Sequence, residues 1–369
     1  MIRHLSLTKF RSFPEFEMRN LGRINLLVGA NNSGKTSLLE AVELLQAQGD
    51  ARSIWTNLQR RGERISDEDE RRNSPELDIC RLFHNYDLNT DSFFEINSSN
   101  EHNQESSIRI SLVESAEWDQ PQLAMLPQDT PLGPLSLSIC STIGFQEESD
   151  VTIIPLTEKG GLPYDIIRRR PLRKEEQRKP TSFVSTSSLH SDEVTSLLSR
   201  YVLNPEEEFI LNALRIIEKD IERIAPISNP SGPSGYASRG GVVVKFKNLK
   251  TRLPIGTMGD GAWRLLSLSL SLAKSKGGIL LIDEIDTGLH YTVMESMWKL
   301  IFHTAQQNNI QIFATSHSSD CWKALAAICR NPDYSRDATI QHIEKGKPTP
   351  TSFTGPEIVI ASERDFEVR

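Results

Sequence analysis

Apolar and polar residues alternate along Ile2–Phe10. Ile2, His4, Ser6 and Thr8 fall on one face and Arg3, Leu5, Leu7 and Lys9 on the other, which predicts a first strand. A turn is expected around Phe13–Pro14, then a short strand through Phe16 and Met18. Ile24–Val28 is a near-continuous apolar run, the pattern of a strand covered on both faces. It feeds a glycine-rich loop and a helix expected from Lys35 to about Ala47. From about 50 to 190 the pattern is weaker. The charged run Asp67–Arg72 and the polar run Asn97–Ser107 flank short candidate strands, Phe93–Ile96 and Ile108–Val113, so an antiparallel sheet with long loops is expected there.

Helical periodicity returns at about 192–224. Val194, Leu197, Leu198 and Tyr201 share one helical face, and Asn204–Pro205 reads as a cap followed by proline in a first turn. Ile210, Leu214, Ile217, Ile221 and Ile224 follow at 4-3-4-3 spacing, a coiled-coil-like stripe. Some 20 residues reach only about 30 Å as a helix, so the stripe suits a short arm or an amphipathic helix lying on a core. Ser228–Gly241 is a Pro/Gly/Ser-rich connector. Beyond it the chain alternates: strand Val242–Lys247, helix Gly261 to about Lys274, buried strand Ile279–Ile282, helix about 291–306, strand Ile310–Ala314. That alternation predicts an α/β fold with a mainly parallel sheet flanked by helices. The expected organisation is one head from 1–48 and 242–369, a β-rich part over 49–191, a helical insertion over 192–227 and the connector over 228–241.

Composition narrows the class. The 369 residues are 37% hydrophobic and 25% charged, ordinary for a globular protein of about two domains. No run of 18 apolar residues occurs, and MIRHLSLTKF lacks the apolar core of a signal peptide, so a cytoplasmic protein without a membrane span is expected. Cys80, Cys140, Cys321 and Cys329 are scattered without CxxC or zinc spacing and read as buried, reduced thiols. A net charge of −7 argues against a broadly basic nucleic-acid surface. One local exception is Arg168–Lys179, with seven basic and two acidic residues, open to reading as a solvated loop or as a phosphate contact for nucleic acid.

The chemistry is concentrated in four places. Gly29-Ala30-Asn31-Asn32-Ser33-Gly34-Lys35-Thr36 matches GxxxxGK[ST], the phosphate-binding P-loop, and Ser37 follows it. Its glycines let backbone N–H groups wrap a β-phosphate, Lys35 would reach the β/γ-phosphates, and the Thr36 hydroxyl would ligate Mg²⁺. Ile279–Ile282 delivers Asp283 and Glu284 to a strand end, where ligands collect in open α/β sheets. Asp283 would hold Mg²⁺ through water, and Glu284 would orient the attacking water. His317 ends the next strand, within Phe313-Ala314-Thr315-Ser316-His317-Ser318, where it could contact a γ-phosphate. Gly259-Asp260-Gly261 precedes a helix expected to begin near Ala262, a glycine turn suited to an anion.

Taken in order, these residues resemble the ATP-binding heads of ABC-type ATPases in the RecF, SMC and OLD group, over roughly 1–48 and 242–320. The resemblance matches Lys35 to the Walker A lysine, Asp283 and Glu284 to the Walker B pair, and His317 to the switch histidine. Asp286-Thr287-Gly288-Leu289-His290 looks like the D-loop, which in that family touches the partner head. Lys9-Phe10-Arg11-Ser12-Phe13 is similar to the family's F-R-S-F element, which implies that Arg11 lies near the nucleotide, against the alternative of a solvated surface arginine. The family's L-S-G-G-[EQ] signature falls on Met258-Gly259-Asp260-Gly261-Ala262, with glycine for the serine and aspartate for the first glycine. That departure removes a serine contact on the γ-phosphate and implies slow hydrolysis. No residue is matched to the Q-loop glutamine.

The resemblance implies two ATP molecules sandwiched in a homodimer, and an ATP-gated switch in DNA maintenance or anti-phage defence. DNA or RNA is a candidate partner. OLD-type nucleases carry a Toprim domain after the switch histidine. Here about 50 residues follow His317 without a D-x-D cluster, so any effector is expected on another chain. The competing readings are a scaffold that uses ATP only to assemble, and the nucleotide-binding subunit of a transporter.

Overall fold

The computed structural model describes residues 1–65, 76–115, 132–143, 150–169, 179–227, 241–364, 366 and 368. The charged run Asp67–Arg72, most of the basic run Arg168–Lys179 and nearly all of the connector Ser228–Gly241 lie outside the described residues. Two compact units result, one of Met1–Leu21, Thr36–Arg178 and Glu344–Pro350, the other of Gly22–Lys35, Lys179–Ile343 and Thr351–Arg369.

In the first unit, β1 (Ile2–Phe10) pairs antiparallel with β2 (Phe13–Met18). Phe10 is paired with Phe13, so the turn falls on Arg11–Ser12 and not around Pro14 as the sequence suggested. Pro14 lies inside β2, which is tolerable because β2 is an edge strand and needs no N–H on its outer side. The next element after β2, β3 (Ile24–Val28), belongs to the other unit. The sheet continues through β5 (Phe93–Asn100), β6 (Glu105–Glu114), β7 (Leu132–Ile143) and β8 (Asp150–Thr157), in the order β2-β1-β5-β6-β7-β8. The antiparallel sheet expected here therefore exists, but its strands run through the polar segment Asn97–Ser107, which forms the β5–β6 hairpin. Two short strands, β4 (Glu76–Asp78) and β9 (Gly161–Pro163), pair separately. Helices α1 (Lys35–Gln46), α2 (Ala51–Arg61) and α3 (Tyr164–Arg169) complete the unit, α1 arriving directly from the glycine-rich loop.

The second unit holds the alternating β/α part. Its sheet runs β10 (Thr181–Val184), β14 (Ile279–Ile282), β15 (Gln311–Thr315), β3, β16 (Ala338–His342), β17 (Thr351–Thr354). All neighbours are parallel except β17, which runs antiparallel to β16. Every residue of β3, β14 and β15 is buried, as expected for strands covered on both faces. The covering helices include α6 (Asp260–Lys274), α7 (Tyr291–Gln307), α8 (Ser319–Cys329), the short α9 (Pro332–Ser335) and α10 (Gly355–Glu363). The fold class is thus that of a P-loop NTPase head, with a mainly parallel sheet and an antiparallel N-terminal sheet.

The isoleucine stripe at 210–224 is not one helix. α4 (Ser191–Tyr201) and α5 (Glu206–Leu214) are helical, but Ile221–Pro226 is strand β11, paired with β12 (Val242–Phe246), which also pairs with β13 (Arg252–Pro254). A register shift between Ile221 and Arg223 puts both Ile221 and Ile224 in the core, three positions apart. The bulge counterfeits the helical i, i+3 spacing. Helices α4 and α5 pack into the core with α6 and project no arm. The four cysteines are free, Cys321 and Cys329 buried but Cys80 and Cys140 only half-buried.

Candidate active site

The parallel order places β15 between β3 and β14. With strands about 4.8 Å apart, the ends carrying the P-loop and the two carboxylates are about 10 Å apart, and the His317 strand ends between them. Register aligns Leu26, Ala314 and Ile282 in one row and Leu27 with Thr315 in the next, so the three strands end within two residues of one another. Ser316 N–H still donates to Leu27 O at 3.1 Å, and His317, partly buried, comes immediately after.

The loop after β3 is shaped by backbone constraints. Gly29 has φ +139, and a Cβ there would lie 2.2 Å from Ile343 O, so only glycine fits. Gly34 (φ 98) and Asn32 (φ 60) are also left-handed. Ala30, Asn31 and Asn32 form the exposed tip, while Ser33 and Lys35 are buried. Lys35 Nζ donates to Gly29 O at 2.9 Å and to Ala30 O at 2.7 Å, curling over its own loop. Burial pushes its pKa down to about 8, against the opposing fields of Asp283 and Glu284. That opposition places the lysine within electrostatic reach of both carboxylates.

Two residues that sequence reading did not single out hold the carboxylate pair. The Thr315 hydroxyl donates to Asp283 Oδ1 at 2.7 Å and accepts from Glu284 N–H at 2.8 Å. Arg264, only 1% exposed, reaches from α6; its Nη2 donates to the carbonyls of Asp283 and Glu284, both at 2.7 Å, and its Nη1 to Ser185 O at 2.6 Å. Burial lowers the Arg264 pKa to about 10 despite Asp286, Asp283 and Glu284 nearby. Glu284 sits at φ 47, a conformation uncommon for a side chain with a Cβ, and it is over-determined by these bonds. Thr315 was legible as part of the strand-end motif, whereas Arg264 was hidden inside an apolar helix. A buried arginine in such a helix has no sequence signature.

The segments expected as D-loop and signature, Asp286–His290 and Met258–Ala262, meet. Thr287 Oγ1 donates to Glu284 Oε2 at 3.1 Å. A Cβ on Gly261 would stand 2.9 Å from Gly288 O, and one on Gly288 would stand 3.2 Å from Asp260 Cβ. Gly259 (φ 81, ψ −175) precedes the first turn of α6, which starts at Asp260, two residues earlier than expected. Gly259, Asp260, Thr287 and Gly288 are exposed, and Asp286 is partly buried.

Arg11 is not a solvated surface residue. It lies in the first unit, 6% exposed, with Nε 2.8 Å from Glu40 and Nη1 2.8 Å from Glu63. Arg61 also pairs with Glu40 at 2.6 Å and donates to Ser37 Oγ at 3.0 Å. Burial raises the Glu40 pKa, and Arg11 and Arg61 oppose that shift. Thr36 is the second residue of α1, which Lys35 opens.

The Thr36 hydroxyl and the Asp283 carboxylate are each oxygen donors of the kind Mg²⁺ prefers. Among the described residues no three His, Cys, Asp or Glu side chains cluster as a dedicated metal cage, and no helix is long and apolar enough to cross a membrane.

The sequence is 22% identical over 356 residues to an ATP/GTP phosphatase of Helicobacter pylori, covering 92% of this chain and 91% of that one. It is 31% identical over 96 residues to an uncharacterized protein of Methanocaldococcus jannaschii, covering 24% of this chain and 44% of that one. Among solved structures it aligns with an SMC head bound to the C-terminal winged-helix domain of ScpA (TM-score 0.47, 14% identity, 96% of this chain and 97% of that one). It also aligns with the Pyrococcus furiosus Smc head bound to the C-terminal domain of ScpA (TM-score 0.48, 13% identity, 99% of each). The family model for the AAA ATPase domain, AAA_15, matches residues 1–127 and 173–321. The chain belongs to the AAA ATPase domain family, AAA_15.

Proposed function

We propose that the protein binds ATP on the Gly29–Thr36 loop and hydrolyses it with Glu284. The observation that carries this reading is the order β14-β15-β3, with Lys35 in the field of Asp283 and Glu284. Lys35 exchanges the carbonyls of Gly29 and Ala30 for β/γ-phosphate oxygens, and its charged form is favoured there by the phosphates. Backbone N–H groups of residues 30–36 and Ser37 line the phosphate chain. Glu284 orients the attacking water and accepts its proton, and His317 contacts the γ-phosphate. Thr36 and Asp283 would hold Mg²⁺, which supplies charge neutralisation on the phosphates.

We further propose a homodimer with ATP sandwiched between heads. Its support is the packing of Asp260 and Gly261 against Gly288, beside the exposed Gly259 and Thr287. Asp286, in the same loop, lies close enough to Arg264 to act on its charge. The resemblance to the RecF/SMC/OLD group supports a role as an ATP-gated switch in DNA maintenance or anti-phage defence, acting on a separate effector.

Steady-state ATPase assays on wild type, Glu284→Gln and Lys35→Ala test the reading, with sedimentation to follow assembly. Glu284→Gln should lose turnover yet dimerise with ATP, and Lys35→Ala should lose both. Equal background turnover in all three would leave an ATP-dependent scaffold.

A further inference from the structure

A second site lies in the first unit, between α2 and α3. Arg52, Trp55 and Gln59 follow one face of α2 at i, i+3 and i+7, and Tyr164 and Arg168 follow α3 at i and i+4. They line a groove of about 490 Å³, within the size range of small-ligand sites. Tyr164 packs on Trp55 with ring centroids 5.1 Å apart and planes tilted by 48°. Trp55 is nearly covered, but Tyr164 remains 39% exposed, so the pair offers a supported aromatic platform open to solvent. Helix α2, ARSIWTNLQRR, contains three arginines and no acidic residue. Arg60 and Arg61 turn to Glu43 and Glu40, and Arg52 lines the groove. Across the groove, Arg168 adds a second guanidinium and Asp165 is the acidic residue on α3. In a chain of net charge −7 this is a local reversal of sign.

We propose that this groove binds an unpaired nucleobase with its phosphate, the base stacking on Tyr164 and the phosphate meeting Arg52 and Arg168. Stacking on an aromatic side chain tolerates any base, and guanidiniums flanking the ring suit the backbone of a single strand. The same chemistry is offered by a free nucleotide. The site is separate from the P-loop and does not depend on the ATPase reading.

The test is fluorescence anisotropy with a labelled oligothymidylate, with ATP present to fill the P-loop, and a parallel calorimetric titration with thymidine monophosphate. Wild type should bind, Tyr164→Phe should retain affinity, and Tyr164→Ala should weaken it about 5- to 100-fold. Arg52→Gln with Arg168→Gln should lower the slope of log affinity against log salt by about 1.4 for a single strand. ATP turnover should be unchanged in all three. Oligonucleotide binding with weak monophosphate binding identifies a strand as the ligand; equal affinity for both identifies the free nucleotide. Binding of neither probe, or binding that Tyr164→Ala and the arginine pair leave untouched, overturns the proposal.

Discussion

Arg264 holds Glu284 by its main-chain oxygen, at 2.7 Å, and leaves the carboxylate to other partners. The same guanidinium holds the carbonyls of Asp283 and Ser185, so α6 and the end of β14 are fixed to one another. Arg264→Ala strands three buried or half-buried carbonyls. A loss of about 3 kcal/mol or more is expected, read as a lower midpoint in thermal or urea unfolding. Arg264→Lys should recover only part, because an ammonium cannot span the three acceptors.

Thr315→Val keeps the shape of the side chain and removes its hydroxyl. Asp283 then loses a hydrogen bond and the Glu284 N–H its acceptor, at a cost of about 1–2 kcal/mol. Turnover should fall about 10- to 100-fold while nucleotide affinity stays within a few-fold, measured by steady-state ATPase and fluorescent-nucleotide titration. Equal loss in binding and turnover would show that the hydroxyl does not position the carboxylates.

Lys35 gives a pH dependence of defined sign. Its pKa is lowered to about 8, so the lysine is charged below that pH and increasingly neutral above it. Bound phosphates favour the charged form, so nucleotide binding should take up a proton above pH 8 and weaken as pH rises. The apparent affinity should fall by up to about tenfold per pH unit there. In the unliganded fold the sign for stability is opposite. A depressed lysine pKa penalises the charged form, and that penalty is relieved as pH climbs through 8. Calorimetry in buffers of different ionisation enthalpy measures the proton uptake, and Lys35→Arg should abolish it.

Gly261→Ala should uncouple the signature turn from the D-loop. The new Cβ would meet Gly288 O at 2.9 Å, and that backbone atom must shift to admit it. A cost of about 1–2 kcal/mol is expected, with ATP-driven dimerisation weakened far more than ATP binding. Sedimentation of Glu284→Gln with and without Gly261→Ala separates the two effects.

Arg11 sits among Glu40 and Glu63 whatever its relation to nucleotide. Removing one member of a buried ion cluster leaves charge unpaired, so Arg11→Ala should cost about 3–5 kcal/mol without nucleotide present. Unchanged stability of the nucleotide-free protein would refute that structural role.

Much of the second unit was legible because its signals are local. Glycines in the P-loop, a five-residue apolar strand before it, and two carboxylates after Ile279–Ile282 each announce themselves within a few positions. The first unit was harder. β7 does alternate, with Leu137 and Ile139 inward, but β7 and β8 pair across a connection that offers no short turn signal. Bulged β11 mimicked a helix, because one extra residue converts period two into spacing of three. Arg264 and the Arg11 cluster were invisible for a different reason. Their meaning comes from burial and from acceptors far away in sequence, which no local pattern encodes.

The packing of Gly288 on Asp260 has a kinetic consequence for a paired assembly. The turn that would meet the neighbour's triphosphate is in direct contact with the loop whose Thr287 grips Glu284. Occupancy of one pocket would then set the readiness of the other, and the two turnovers would be cooperative rather than independent events.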